Sequence, residues 1–158
     1  MRAAVKAFVA LGANLGDPAA SVLRAIIDIA AIKGVSLLKR SSLYRSAPVQ
    51  SSGPDYVNAV VEIETVLSAP DLLAALQRIE RLAGRERPSR NAPRTLDLDL
   101  LIYGDARVES AALVVPHPRL GERAFVLLPL AEIDPPRVTA AQLRAVQGQA
   151  IERMARDR

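Results

Sequence analysis

The order in which apolar periodicity changes along the chain leaves few folds open. Val5 to Ala13 is β-like. Asp17-Pro18 then supplies an N-cap and a proline suited to the first helical position. Val22, Ile26 and Ile29 recur at helical spacing, broadened by Leu23, Ile27 and Ala30, and Gly34 marks the stop. Val35 to Arg45 alternates loosely as a second strand, and Ala47 to Pro54, with two prolines and small polar residues, reads as a loop. Asp55 to Val66 is a third strand with Val57, Ala59, Val61 and Ile63 on one side. Ser68-Ala69-Pro70-Asp71 opens a second helix with a capping-box-like spacing. Its stripe is Leu72, Leu76, Ile79 and Ala83, and Gly84 ends it. Arg85 to Thr95 is a loop, and Leu96 to Tyr103 a fourth strand closed by Gly104-Asp105. The order βαββαβ predicts an α/β ferredoxin-like sandwich, with helices on one face of an antiparallel-rich sheet and the other face free. Beyond residue 106 a C-terminal, family-specific extension follows. It holds a short strand or loop, a Pro-His-Pro turn, an apolar strand from Phe125 to Leu130 and a last helix from Thr139 onward.

Composition narrows what such a sandwich can do. The 158 residues fit one domain spanning 1–158, large enough to bury roughly 70% of its unfolded surface. Zero cysteines exclude a disulfide framework, thiolate zinc and thiol nucleophiles, and fit a reducing compartment. A single histidine, His117, argues against a multi-histidine metal site. No segment reaches the ~18 uninterrupted apolar residues of a membrane span. The apolar N-terminal run breaks at Gly12 and Asn14, so it reads as a strand rather than a signal peptide, and the expected location is the cytoplasm.

Charge adds a position. Lys and Arg number 21 against 17 acids, and 18 of the 21 are Arg. Between Arg78 and Arg94 lie six Arg and only Glu80 and Glu86, so this stretch holds the whole net +4. Arg offers a planar, permanently charged fork to carboxylate or phosphate.

Directly after it comes Leu96-Asp97-Leu98-Asp99-Leu100. In a strand Asp97 and Asp99 share a face, with Cα atoms about 6.5–7 Å apart, while the leucines point into the core. Two such carboxylates suit metal ions spaced about 3.5–4 Å. Hard oxygen donors without Cys or clustered His favour Mg²⁺, completed by water and phosphate. Acids sharing a face repel, and the adjacent arginines offset that repulsion. An acid pair able to hold cations beside a cationic loop is what polyphosphate handling requires. The blander readings are an ordinary half-exposed strand and, for Arg78 and Arg81, a solvated helix face. Gly12-Ala13-Asn14-Leu15-Gly16-Asp17 lacks both nucleotide-loop patterns and reads mainly as turn chemistry. Gln77 and Glu80 are neighbours near the end of the second helix, and alone read as solvated. His117, between two prolines, is a lone histidine without a partner and is not assigned as a general base.

Arg90-Asn91-Ala92-Pro93-Arg94-Thr95-Leu96-Asp97-Leu98-Asp99-Leu100-Leu101 resembles the diagnostic segment of the 6-hydroxymethyl-7,8-dihydropterin pyrophosphokinase family. Ala10 to Gly16, Ser42 to Pro48, Pro54 to Ala59, Pro116-His117-Pro118 and Glu122 to Val126 are similar to its other segments and occur in family order. The resemblance implies transfer of the β,γ-pyrophosphoryl group of ATP to the hydroxymethyl group of the dihydropterin, releasing AMP, in folate biosynthesis. It implies Asp97 and Asp99 as ligands of two Mg²⁺ ions, and Arg85 and Arg94 as loop arginines closing over the reacting phosphates. Gln77, Glu80, Arg87, His117 and Arg123 match ATP-contacting positions. Tyr56 and Phe125 match the pair that sandwiches the pterin ring, Asn58 its polar-edge partner, and Ser46, Ala47, Pro48 and Val49 the backbone lining. Asn91 stands where some members carry a Trp in the mobile loop.

Two other classes fit the same sandwich. A basic nucleic-acid module needs exposed aromatics on the sheet, and Phe and Tyr number five in all. A nucleotide-sensing domain without catalysis would leave Asp97 and Asp99 dispensable. The expectation is a monofunctional, monomeric enzyme with ATP and the pterin as its partners, binding neither nucleic acid nor membrane.

Overall fold

The structure, a computed structural model, describes residues 3–48, 53–84 and 96–155. In chain order the elements are β1 (Val5–Ala13), α1 (Pro18–Ala30), β2 (Val35–Arg40), β3 (Tyr44–Ser46), β4 (Tyr56–Thr65), α2 (Ala69–Ala83) and β5 (Asp97–Tyr103). The extension adds β6 (Val108–Glu109), β7 (Val114–Val115), α3 (Ala124–Ile133), α4 (Ala140–Ala145) and β8 (Ile151–Arg153).

The sheet runs β5-β1-β4-β3-β8, with β2 also paired to β4, and each of its pairings is antiparallel. One long strand was expected over 35–45, but β2 and β3 are separate. Ser41 breaks the ladder: its amide donates to the Val60 carbonyl at 2.9 Å, and its hydroxyl takes the Val60 amide at 3.0 Å. A serine side chain thereby stands in for a backbone acceptor, the usual way this residue interrupts a ladder.

The helices that carry the βαββαβ core start as their capping residues dictate. Asp17 accepts from the Ala20 amide, and Ser68 from the Asp71 amide, each with a proline in the first turn. Val22, Ile26 and Ile29 of α1 and Leu72, Leu76 and Ile79 of α2 pack on Ala7, Val9, Leu11, Val61 and Ile63. The stripes are narrower than their sequence suggests, since Leu23, Ile27 and Ala83 are exposed.

The opposite face of the sheet is not free. Val126, Leu130 and Ile133 of α3 cover Phe8, Ala10, Val60 and Leu101. The apolar run from Phe125 to Leu130, expected as a strand, is therefore helix. A short run apolar on all sides carries no period that separates the two, and Pro129 inside it, which cannot donate to the Phe125 carbonyl, argues against helix in isolation. The last helix does begin after Thr139, in a capping box with Gln142, but ends at Ala145. The chain then returns as β8 beside β3, an addition that Ile151-Glu152-Arg153 does not advertise.

A polar clasp fixes α3 against this edge. The Glu132 carboxylate accepts from the Ser42 amide at 3.0 Å, the Ser42 hydroxyl at 2.9 Å, the Tyr44 hydroxyl at 2.8 Å and the Arg153 guanidinium at 3.1 Å. Burial alone pushes this carboxyl up, but the bonds from Tyr44 and Ser42 and the charge of Arg153 outweigh it and hold Glu132 below the ordinary range. Burial, and then the same carboxylate, push the Tyr44 phenol up, so the phenol remains the donor. A depressed carboxyl contributes stability that is complete above its ordinary value of 4.5 and is lost as pH falls through the folded value. Glu132→Ala, which strands several donors, is expected to destabilise by on the order of 3 kcal/mol. Glu132→Gln is expected to flatten the acid limb of stability, read by urea unfolding from about pH 7 to about pH 3. An unchanged acid limb would contradict the clasp.

Candidate active site

Strand register assembles the site. Asp97 pairs with Gly12, Gly12 with Asn58 and Asn58 with Tyr44, so one row crosses four strands on the α3 face. One step along, Asp99 pairs with Ala10 and Ala10 with Val60. Leu98 and Leu100 point to the other face and are buried there, which holds both carboxylates outward.

Small residues opposite the acids make the concavity. A Cβ on Gly12 would lie 3.1 Å from Asn58 Nδ2, tight enough that the amide would have to give way. Asn58 itself is buried, and its Oδ1 accepts from the Ser46 hydroxyl at 2.6 Å. The amide is thus oriented by its neighbour and lies over a strand position with no side chain.

The resulting cleft has a volume of about 620 Å³. Among its lining are Ser46, Ala47, Tyr56, Asn58, Asp97, Asp99, Arg123 and Phe125, all of them expected from the sequence. Pro48 lies in an adjoining recess of about 170 Å³ with Ser46, Ala47 and Phe125. The Arg123 guanidinium sits 5.4 Å from the centroid of the Phe125 ring, which ties a cation to one wall.

Other expected residues lie outside the cleft lining. Gln77 is exposed on α2, outside the cleft lining. Glu80 is also outside it, and its Oε2 accepts the Leu98 amide at 2.7 Å. Because β5 is an edge strand, this bond occupies a donor that no neighbouring strand takes. His117 lies on the loop after a cis Val115–Pro116 bond, held by its amide donating to Leu101 O at 2.8 Å. Its Nδ1 accepts from the Arg119 amide at 3.1 Å. Burial, reinforced by Arg123 and Arg119 and opposed by Asp99, holds its imidazole below the ordinary range. Val49, Arg85, Arg87 and Arg94 lie outside the described residues, as does Asn91.

The cleft also holds Ala10, Gly12, Arg119, Glu122 and Gln149, which sequence reasoning did not assign. Gly12 carried a usable signal. A glycine inside a strand marks a place where another group comes close, and here it had been grouped with the turn that follows. Gln149 carried none.

The model of the 7,8-dihydro-6-hydroxymethylpterin-pyrophosphokinase (HPPK) family matches residues 8–135. The chain belongs to the HPPK family. It is 45% identical over 129 residues to the 2-amino-4-hydroxy-6-hydroxymethyldihydropteridine pyrophosphokinase of Synechocystis, covering 82% of this chain and 66% of that one. It is 44% identical over 130 residues to the enzyme of the same name from Haemophilus influenzae, covering 82% and 81%. The crystal structure of wild-type Plasmodium falciparum HPPK-DHPS with pterin and p-hydroxybenzoate aligns with a TM-score of 0.67. It covers 85% of this chain and 40% of that one, and at 14% identity it supports the fold alone. The fold is the ferredoxin-like α/β sandwich, and in this chain α3 and β8 are added to it.

Ser46→Ala would leave the buried Asn58 Oδ1 without its donor. It is expected to destabilise by about 1–3 kcal/mol, measured by urea unfolding. A loss within error of zero would show that the Ser46–Asn58 bond does not hold the amide.

Proposed function

We propose that the chain carries out its family's reaction with ATP and 6-hydroxymethyl-7,8-dihydropterin, with the cleft on the α3 face as the site of transfer. The hydroxymethyl oxygen attacks the β-phosphorus of ATP and the bond from that phosphorus to the α,β-bridging oxygen breaks. The pyrophosphoryl group ends on the pterin, AMP leaves, and the hydroxyl proton passes to solvent. The observation that carries this reading is the placement of one acid pair, one oriented amide and two aromatic rings in a single cleft.

Tyr56 and Phe125 suit an offset stack on a flat heterocycle, and Asn58 offers amide hydrogen-bonding groups at its edge. Ser46, Ala47 and Pro48 line the cleft and its recess as the proposed backbone wall, and the resemblance adds Val49 to that role. Arg123 brings positive charge beside Phe125, toward phosphate. His117 and, on α2, Gln77 and Glu80 belong to the nucleotide side of this reading, with Glu80 also securing β5. Arg85, Arg87 and Arg94, in the segment that precedes β5 in sequence, are the proposed source of further charge for the phosphates.

Asp97 and Asp99 are the proposed ligands of Mg²⁺, as two ions. Their chemistry fits: both are hard oxygen donors on one strand face, facing Gly12 and Ala10. Among the described residues no group of three or more His, Cys, Asp or Glu could hold a metal ion by itself. Two carboxylates leave the remaining positions to water and phosphate, as Mg²⁺ prefers. When bound, the metal would neutralise charge on the transferring phosphoryl group. With no histidine or lysine among the described residues that line the cleft, positioning and electrostatics carry the step.

No helix among the described residues is long and apolar enough to cross a membrane. One domain, a monomer and a cytoplasmic location complete the reading. A nucleic-acid module on this fold would present the sheet face that α3 occupies here.

Asp97→Ala and Asp99→Ala are each expected to lower pterin-dependent AMP formation by on the order of 10³-fold, with the far-ultraviolet spectrum unchanged. Undiminished activity in either would remove the acid pair from the mechanism. Phe125→Ala is expected to raise the KM for the pterin about tenfold, the scale of a lost aromatic stack. An unchanged KM would remove Phe125 from the ring site.

A further inference from the structure

The tail beyond residue 135, outside the segment matched by the family model, reaches back into the cleft. Its contact is made through Gln149, whose side-chain amide uses both ends. Oε1 accepts from the Ala124 amide at 2.9 Å, and Nε2 donates to the Glu122 carbonyl at 2.8 Å. The two bonds straddle Arg123.

Ala124 is the first residue of α3, and Arg123, at the N-cap position, makes no side-chain capping bond. The first amides of a helix have no partner within it, so a helix that starts without a cap needs an acceptor from elsewhere. Gln149 provides one from 25 residues away in sequence. It thereby fixes the turn that presents Arg123 and Phe125.

The next residues hold the opposite wall. The Ala47 amide donates to the Ala150 carbonyl at 3.2 Å, and Ile151 pairs with Ser46 in the β3–β8 ladder. Ser46 in turn orients Asn58. Gln149, Ala150 and Ile151 also line the recess between Pro48 and Phe125. Consecutive tail residues therefore tie the Phe125 wall to the Ser46–Ala47 wall.

We infer that Gln149 is a positioning residue for the pterin subsite, setting the distance from the Phe125 wall to the Ser46–Ala47 wall, where Ser46 pairs with Tyr56, the other ring of the proposed stack. The inference deepens the proposed function and rests on it. Binding to a rigid slot loses less ordering entropy than binding to one that must form around the ligand, so loosening a wall weakens affinity without removing a contact to the ligand. In the Gln149→Glu variant the Glu122 carbonyl loses its donor and the carboxylate has to shift to admit a water there, while its other oxygen is expected to keep the Ala124 amide, favoured by charge at a helix N-terminus.

The test is calorimetric titration of full-length protein with oxidised 6-hydroxymethylpterin in the presence of a non-hydrolysable ATP analogue and Mg²⁺. Gln149→Ala is expected to weaken pterin binding about fivefold, with Gln149→Glu recovering part of the loss. In turnover, the KM for the dihydropterin rises in Gln149→Ala by more than kcat falls. A pterin Kd in Gln149→Ala within twofold of wild type overturns the inference. So does a loss that Gln149→Glu does not recover at all, or equal losses in kcat and in affinity for both substrates. Titration reads binding directly, so failure of the transfer reaction itself would appear separately, as wild-type protein that binds pterin and forms no AMP.

Discussion

Everything at the site depends on the alternation of β5. Leu98 and Leu100 are buried against α1 and α2, and that burial leaves Asp97 and Asp99 only the opposite face. A one-residue slip against β1 would exchange acids for leucines on both faces at once, so the hydrophobic core and the face that carries the cleft enforce each other. Two further features hold this register at a sheet edge. Glu80 occupies the outward Leu98 amide, and a bulge at Leu101, opposite Phe8 and Val9, brings Ile102 to the α3 side beside Leu101 and turns Tyr103 to the other core, leaving the acids in line.

The two faces of the sheet divide the work. The α1 and α2 side is a packed apolar layer, from which only Gln77 and Glu80 of α2 enter the proposed chemistry. On the other side α3 covers one end of the sheet with Val126, Leu130 and Ile133, while its first turn brings Phe125 to the cleft. Where the apolar packing ends the cleft begins, over Ala10 and Gly12. Glu132 then locks α3 to Ser42 and Tyr44, two residues from Ser46, so the wall and the strand that carries the pocket are joined by one carboxylate. A site built from the ends of separate elements keeps its geometry only through such cross-links.

Much of this was legible in the residues. Caps at Asp17 and Ser68, the helical stripes and the alternation through Leu96 to Leu100 depend on local spacing, and local spacing is what a sequence displays. The acid pair reads from strand alternation and Tyr56, Asn58 and Phe125 only through the family segments, and the structure brings them together in one cleft. What was hidden is of another kind. The helix at Phe125 to Leu130 has no periodicity, because it is apolar all round and contains Pro129. The split at Ser41 depends on a hydroxyl meeting Val60 from a distant strand. Gln149 and β8 act through tertiary contacts that leave no local pattern, and so does the bond that Glu80 accepts from the Leu98 amide.

The central claim is that this cleft moves a two-phosphate unit, so the decisive measurement identifies the products. Phosphorus NMR of the wild-type protein with ATP, Mg²⁺ and 6-hydroxymethyl-7,8-dihydropterin follows every phosphorus through the reaction. The account predicts AMP and the pterin diphosphate in equal amounts. Accumulation of ADP, or ATP consumption that does not depend on the pterin, would contradict it.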